Sequence, residues 1–225
     1  MFATAEHHLT YKVANASVAT FPYAHCYAPN IFPDDLYAEL QRQLPDPEAM
    51  VSLEEARNVK GYPERFVLEL RPENLQVLPP EKRAFWHEFG KIMLSGRFKQ
   101  AVLDKFAPFV TARLKDTSSI RFHDEALLVQ DITDYKIGPH TDSPLKVITM
   151  LFYLPNDNSQ AHLGTSIFTP HDKNFRCGGG PHYPFHLFDK MVTMPFVPNS
   201  LLRSSRPTDR FTAWSQLVIR ERVDG

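Results

Sequence analysis

His140 and Asp142 are the side chains whose types and spacing best fit a chemical role in this sequence. In extended backbone, residues i and i+2 project to the same face, so the imidazole and the carboxylate converge on one point. They would supply two of the three ligands of the 2-His-1-carboxylate set, which holds non-haem Fe(II) and leaves coordination positions open. A chain with ten histidines also produces such a pair by chance. The turn expected at Gly138-Pro139 and the apolar run after Asp142 place the pair at a rim, where binding sites form.

Arg210 and Thr212 form a second pair, again with one residue between them. A guanidinium is a planar fork that matches a carboxylate, and a threonine hydroxyl on the same face adds a hydrogen-bonding group. An ordinary surface arginine at the start of a strand explains Arg210 equally well. The pair therefore predicts a carboxylate-binding position only in combination with other features.

The elements that must position these residues change in character near residue 120. The first half contains a helical pattern over 34–44 and a longer one over 81–115, where apolar residues recur at spacings of three and four. The second half contains β-branched and aromatic runs bounded by Pro, Gly, Asn or Asp, at 126–135, 146–155, 164–170, 190–198 and 211–221. Helices followed by short strands predict an α+β fold with the helices packed on one sheet.

Composition narrows the class of protein. The 225 residues are 43% hydrophobic and 23% charged, with a net charge of -1, which is typical of a single globular domain. No basic stripe is visible, so we expect no nucleic-acid partner and no anionic membrane partner. Cys26 and Cys177 match no zinc spacing, and no signal peptide or membrane-spanning run is evident. These features predict a cytoplasmic protein.

The second half of the chain resembles the iron(II)/2-oxoglutarate-dependent oxygenases, near their bacterial and prolyl-hydroxylase-like branch. The stretch Gly138–Asp142 and the strand after it are similar to the metal-binding strand of that family. Gly164–Ser166, the insert 175–182 and Pro198–Leu202 follow in the order expected for its later segments, and Arg210-Phe211-Thr212 resembles its last strand. The resemblance covers about residues 120–222.

The resemblance implies a double-stranded β-helix, that is, a cupin-like jelly roll, within one domain over 1–225. Residues 1–119 would form a mainly helical N-terminal part, and 120–225 the β-helix core. It also implies a hydroxylase that uses Fe(II), O2 and 2-oxoglutarate and releases succinate and CO2. His140 and Asp142 would bind the metal. Arg210, Thr212 and Tyr135 would bind 2-oxoglutarate, although Tyr135 fits equally well as a core aromatic.

The third metal ligand of the family is missing from the sequence. A distal histidine is expected between Asn199 and Arg210, but the interval reads Leu-Leu-Arg-Ser-Ser-Arg-Pro-Thr-Asp and is short. A loop omitted between Leu202 and Arg210, a degenerate site, or another histidine would each account for this. His171, His182 and His186 follow the pair in sequence, and polar loop histidines are the simpler interpretation of all three.

Two other functions stay open at this point. A catalytically inactive binding or regulatory module on the same fold would explain the missing histidine. A cupin-type metalloenzyme that does not use 2-oxoglutarate would not need Arg210. The substrate, a small molecule or a protein side chain, and the oligomeric state are not specified by the sequence.

Overall fold

The computed structural model describes residues 1–62, 64–115, 120–132, 137–179 and 182–205, together with the backbone of strand 214–220. The helices are α1 Phe2–Asn15, α2 Asp34–Arg42, α3 Leu53–Arg57, α4 Pro80–Met93 and α5 Gly96–Leu114. The strands are β1 His25–Pro29, β2 Val51–Ser52, β3 Arg65–Glu69, β4 Ala126–Asp131, β5 Ile148–Tyr153, β6 Thr165–Pro170, β7 Phe188–Met194, β8 Ser200–Ser205 and β9 Trp214–Arg220. Short 3-10 turns lie at Pro47–Ala49, Asn74–Val77, Ala161–Leu163 and Phe185–Leu187.

The helical pattern over 81–115 is confirmed as α4 and α5, with a break at Leu94 and Ser95. The break is encoded locally, because the Ser95 hydroxyl accepts a hydrogen bond from the Phe98 amide at 3.1 Å and so caps α5. In α4 the residues at helical spacing form one buried aromatic face, in which Trp86 lies 5.4 Å from Phe89 between ring centroids. This face belongs to the main core, together with strand residues such as Leu128 and Phe152.

The strands form a seven-stranded sheet in the order β1-β8-β5-β9-β4-β3-β2, and a separate two-stranded ribbon of β6 and β7. The pairings of the sheet are antiparallel except those of β9, which is parallel to both β4 and β5. The α+β prediction is therefore confirmed. Within the described residues the strands form an open sheet with a ribbon, not a closed barrel, so the jelly-roll prediction is not confirmed.

The N-terminal part supplies more than helices. β1 pairs with β8 through His25–Ser204, and β3 pairs with β4 through Val67–Val129. Strands β1 and β3, from the N-terminal part, thus join the same sheet as the C-terminal strands. Residues 1–119 and 120–225 share one sheet because these long-range pairings cross the predicted boundary.

The two faces of the sheet bury different clusters. On the helix side, Phe152 of β5 stacks on Phe32 at 5.5 Å between centroids, within the main core. Val67, Leu127 and Val129 form a separate cluster on the opposite face. Every residue of β4 is buried, as expected of a central strand that is covered on both sides.

Helix α1 was not predicted, because its apolar positions are sparse. Ala5, Leu9 and Val13 are nevertheless buried at helical spacing, and α1 packs on α4 and α5. Tertiary packing, not intrinsic propensity, stabilises this helix. None of the helices among the described residues has the length and apolar character needed to cross a bilayer.

Candidate functional site

The predicted metal pair lies in the segment between β4 and β5, just before β5 begins. Residues 137–143 are irregular and do not form the strand end that the spacing argument assumed. Gly138 is required here by close approach, since a Cβ atom on it would lie 2.7 Å from the Tyr183 carbonyl oxygen. The Tyr183 amide in turn donates to the Pro139 carbonyl at 2.9 Å. The insert around Tyr183 therefore packs directly on the loop that carries His140.

The insert is anchored by its own aromatic residues. Phe175 contacts Tyr183 edge to face at 4.9 Å and Phe188 at 5.3 Å between centroids. Phe188 begins β7, so these contacts tie the insert to the ribbon. The position of the residues beside Tyr183 is thus fixed by packing and backbone hydrogen bonds together.

The His140 ring is held by its own loop. Its Nδ1 lies 2.9 Å from the Gly138 carbonyl oxygen, which can only accept, so Nδ1 carries the proton. Nε2, the other ring nitrogen, is then the atom that can offer a lone pair. A metal-binding histidine is commonly oriented by such a bond from its second nitrogen. The ring is exposed, so a ligand can reach Nε2 from solvent.

The Asp142 carboxylate is held at the start of β5. Thr149 Oγ1 donates to its Oδ2 at 2.5 Å, and Lys146 Nζ donates to its Oδ1 at 3.2 Å, while 30% of the side chain stays exposed. Partial burial opposes ionisation, but the charge of Lys146, the two hydrogen bonds and nearby His140 outweigh it, so the pKa of Asp142 is lowered. Asp142 is therefore a carboxylate at neutral pH with lone pairs left for a cation.

His182 lies beside His140, with 4.9 Å between ring centroids. Its Nε2 is 3.4 Å from the Tyr62 hydroxyl, and the two rings meet edge to face. Partial burial, followed by the neighbouring His140, lowers the pKa of His182, so its imidazole is neutral near pH 7. The structure thus brings to the site a histidine that the sequence analysis placed among polar loop residues.

Tyr23 and Tyr62 were also missed. Burial, followed by the charge of Asp142, raises the pKa of Tyr23 to about 12, so its phenol stays protonated near the carboxylate. Neither tyrosine carries a local signal, because each reaches the site from an N-terminal loop more than fifty positions away from His140 in the sequence. Only the long-range pairings of β1 and β3 bring them here.

The other predicted residues divide into two groups. Tyr135, Arg210 and Thr212 lie outside the described residues. His171 is on the ribbon side, exposed and 3.1 Å from Asp189, and His186 is exposed in the 3-10 turn Phe185–Leu187. Neither of these two histidines is shown to contact the pair.

The described side chains fit a divalent metal in part. His140 and Asp142 are the right ligand types, and the lowered pKa of Asp142 keeps it in the ionised form that a metal requires. Among the residues described, however, no cluster of three or more His, Cys, Asp and Glu side chains has an arrangement that could hold a metal ion. The site is therefore a two-ligand pair with a neutral histidine, His182, next to it.

Comparisons with protein-family models, with curated proteins and with solved structures gave no match to this chain.

Proposed function

We propose that the protein is an Fe(II)- and 2-oxoglutarate-dependent hydroxylase built on a double-stranded β-helix. The observation that carries the proposal is the pair itself: an imidazole whose Nε2 is left free by its Nδ1–H bond, and an ionised carboxylate two residues further on. Both are ligand types of the facial triad, which keeps positions open for a co-substrate and O2.

The chain path supports the proposed fold. After β5 the chain leaves the large sheet, forms the ribbon of β6 and β7, and returns to pair β8 with β5. Alternation between two sheets is how a jelly roll is built. His140 and Asp142 precede β5, and Asp142 accepts a hydrogen bond from Thr149 of that strand. Thr149 lies between Ile148 and Met150, whose side chains belong to the helix-side core, so its own side chain points to the opposite face. Asp142 therefore lies on the face of the sheet turned away from the helices.

The protein's own residues would prepare the site for the metal. The Gly138 carbonyl fixes the tautomer and the direction of His140, and Thr149 with Lys146 keeps Asp142 ionised. His182 and Tyr62 line the side of the site next to His140. When bound, Fe(II) with 2-oxoglutarate would supply the oxidising power for inserting an oxygen atom into a C–H bond.

The co-substrate anchor stays a prediction. Arg210 would pair with the far carboxylate of 2-oxoglutarate, and Thr212 and Tyr135 would add hydroxyl groups. The proposed substrate is a small molecule or a protein side chain that enters beside His182, which is exposed next to the exposed His140.

Anaerobic titration with Fe(II) and 2-oxoglutarate tests the proposal. We expect a visible charge-transfer band, and succinate formation after air is admitted, and we expect both signals to be lost in His140→Ala. His171→Ala is the matched control, because His171 is an exposed histidine paired with Asp189 on the ribbon. A protein whose iron binding is the same before and after His140→Ala would refute the assignment.

The inactive binding module remains the second candidate, favoured by the lack of a three-ligand cluster among the described residues. It predicts a folded protein that binds 2-oxoglutarate or a related ligand without iron. The cupin alternative predicts that the protein binds iron but does not use 2-oxoglutarate. In that case Arg210→Ala should cause no loss of affinity for 2-oxoglutarate, whereas a 2-oxoglutarate-dependent enzyme should lose it.

A further inference from the structure

Arg203 is a cationic residue that is buried in the apolar core. It is 0% exposed, on β8, and its guanidinium carbon lies 3.9 Å from the centroid of the Phe106 ring. Its Nε and both Nη atoms have no hydrogen-bond partner among the described residues. The neighbouring Cys26 thiol is a weak acceptor, and burial lowers the pKa of Arg203 to about 10. A buried guanidinium that has only a thiol and an aromatic ring beside it, and no oxygen acceptor among the described residues, is strongly unfavourable in a core.

The buried arginine lies where the side chains of β8 stop matching their positions in the fold. Up to Leu202 the residues of β8 suit their positions: Leu201 packs in the helix-side core and Leu202 on the opposite face. Arg203 then points to the helix side, in register with Met150 and Cys26, which are both core residues. After Ser205 the described strand is β9, whose pairings are the parallel ones in an otherwise antiparallel sheet. The ladder of β8 with β1 and β5 nevertheless continues in one register to Ser205, so what changes at the Leu202/Arg203 boundary is the side-chain chemistry and not the backbone.

The genetic code offers a simple origin for this boundary. Suppose that one base has been lost directly after the Leu202 codon. The first original codon then consists of the lost base and the first two bases of the Arg203 codon. Each later original codon consists of the third base of one present codon and the first two bases of the next. With a CGN codon for Arg203, the original residue there is Ser, Pro, Thr or Ala. With TCN codons for Ser204 and Ser205, the original residues at both positions are drawn from Phe, Leu, Ile and Val. All of these are uncharged, and the last set is strongly strand-forming. The AGN codons for Arg or Ser would instead give Gln, Lys, Glu or a stop, so the inference requires the CGN and TCN codons.

We propose that the coding sequence has lost a base at the Leu202/Arg203 boundary, and that residues 203–225 are an out-of-frame translation of the original C-terminal segment. In the original frame β8 continues as an uncharged strand, with a small residue at 203 and apolar residues at 204 and 205, and the core contains no buried cation there. No pair of adjacent residues after Leu202 forces a stop codon in that frame, so the segment can be translated in it without interruption.

The original frame also changes the chemistry of the tail. A phenylalanine codon ends in T or C and a threonine codon begins with AC, so the junction of Phe211 and Thr212 encodes either tyrosine or histidine. A histidine there would supply the imidazole that the pair His140 and Asp142 lacks. The frame inference itself stands on Arg203; only its consequence for metal binding rests on the proposed function.

Sequencing the gene from its source, and peptide mass spectrometry of the protein from the same cells, tests the frame directly. In intact alleles or relatives of the gene we expect one additional base after the Leu202 codon, so that the next codon ends in CG. In the protein from the cells we expect peptides of the tail translated in that frame. A natural gene and protein that both read Arg203-Ser204-Ser205, in every allele and relative sequenced, would overturn the inference.

Restoring the base in the expressed gene gives the physical test. We expect the melting temperature to rise by about 5 °C or more as the unpaired cation leaves the core, and Fe(II) affinity to rise at least about tenfold as a ligand is gained. Arg203→Met in the present chain is the control: it removes the buried charge but keeps most of the side-chain volume, so it should raise the melting temperature without raising iron affinity. A restored chain no more stable than the printed one would contradict the frame inference. A stable restored chain with unchanged iron affinity would leave the frame standing and refute the metal site.

Discussion

Gly138→Ala tests how closely the insert is fitted to the metal-pair loop. The added Cβ would lie 2.7 Å from the Tyr183 carbonyl oxygen and 3.4 Å from the His182 Cβ. The first distance is shorter than real Cβ contacts, and its partner is backbone, so the insert must move by several tenths of an ångström. Overpacking of this kind costs about 1–3 kcal/mol. It also shifts Tyr183 and its neighbour His182 relative to His140.

Two measurements follow the effect of Gly138→Ala. Urea unfolding should show a free energy of unfolding lower by about 1–3 kcal/mol. The affinity for Fe(II) should fall as well, since the carbonyl that orients His140 belongs to the substituted residue. Gly178→Ala is the matched control, because a Cβ on Gly178, in the same insert, meets nothing within 4 Å. Equal stability and equal iron affinity in the two variants would show that the insert is not seated on the loop as described.

Three further predictions concern the surroundings of the site. Lys146→Met removes the cation that most favours ionisation of Asp142, so the pKa of that carboxyl should rise. A carboxyl whose pKa is lower in the folded than in the unfolded state stabilises the fold above its unfolded-state pKa, and this stabilisation is lost as pH falls. Acid unfolding of the metal-free variant should therefore begin at higher pH, and an unchanged acid midpoint by circular dichroism would contradict this. Trp86→Phe leaves the buried Gln43 carbonyl without its 2.6 Å indole donor, which should cost about 1–3 kcal/mol in urea unfolding, whereas Tyr11→Phe, at an exposed position, should cost little. Ser95→Ala removes the cap of α5 and should cost about 0.5–2 kcal/mol, and a loss no greater than that of Ser52→Ala in the short α3 would argue against the capping role.

The elements with strong periodicity were predictable from the sequence. Phe85, Trp86 and Phe89 recur at helical spacing because one face of α4 is buried, and that face is visible in any residue pattern. The run that became β5 is long, β-branched and aromatic, so it was also found. β8 was not predicted, since its positions are buried on both faces and show no alternation.

The site was predictable only where its residues are close in sequence. His140 and Asp142 share one short loop, so their spacing carried information. His182 and Tyr62 reach the same place through the insert and the N-terminal loop, and no local pattern reports a contact between such distant segments. The Gly138 contact with Tyr183 is equally non-local, although a glycine before a proline hinted at a tight turn.

Iron-edge anomalous diffraction from anaerobic crystals soaked with Fe(II) and 2-oxoglutarate locates the metal itself. We expect one dominant anomalous peak about 2.1 Å from His140 Nε2 and from an Asp142 carboxylate oxygen. A peak held by other residues, or a density map in which the His140 ring and the Asp142 carboxylate face apart, would contradict it.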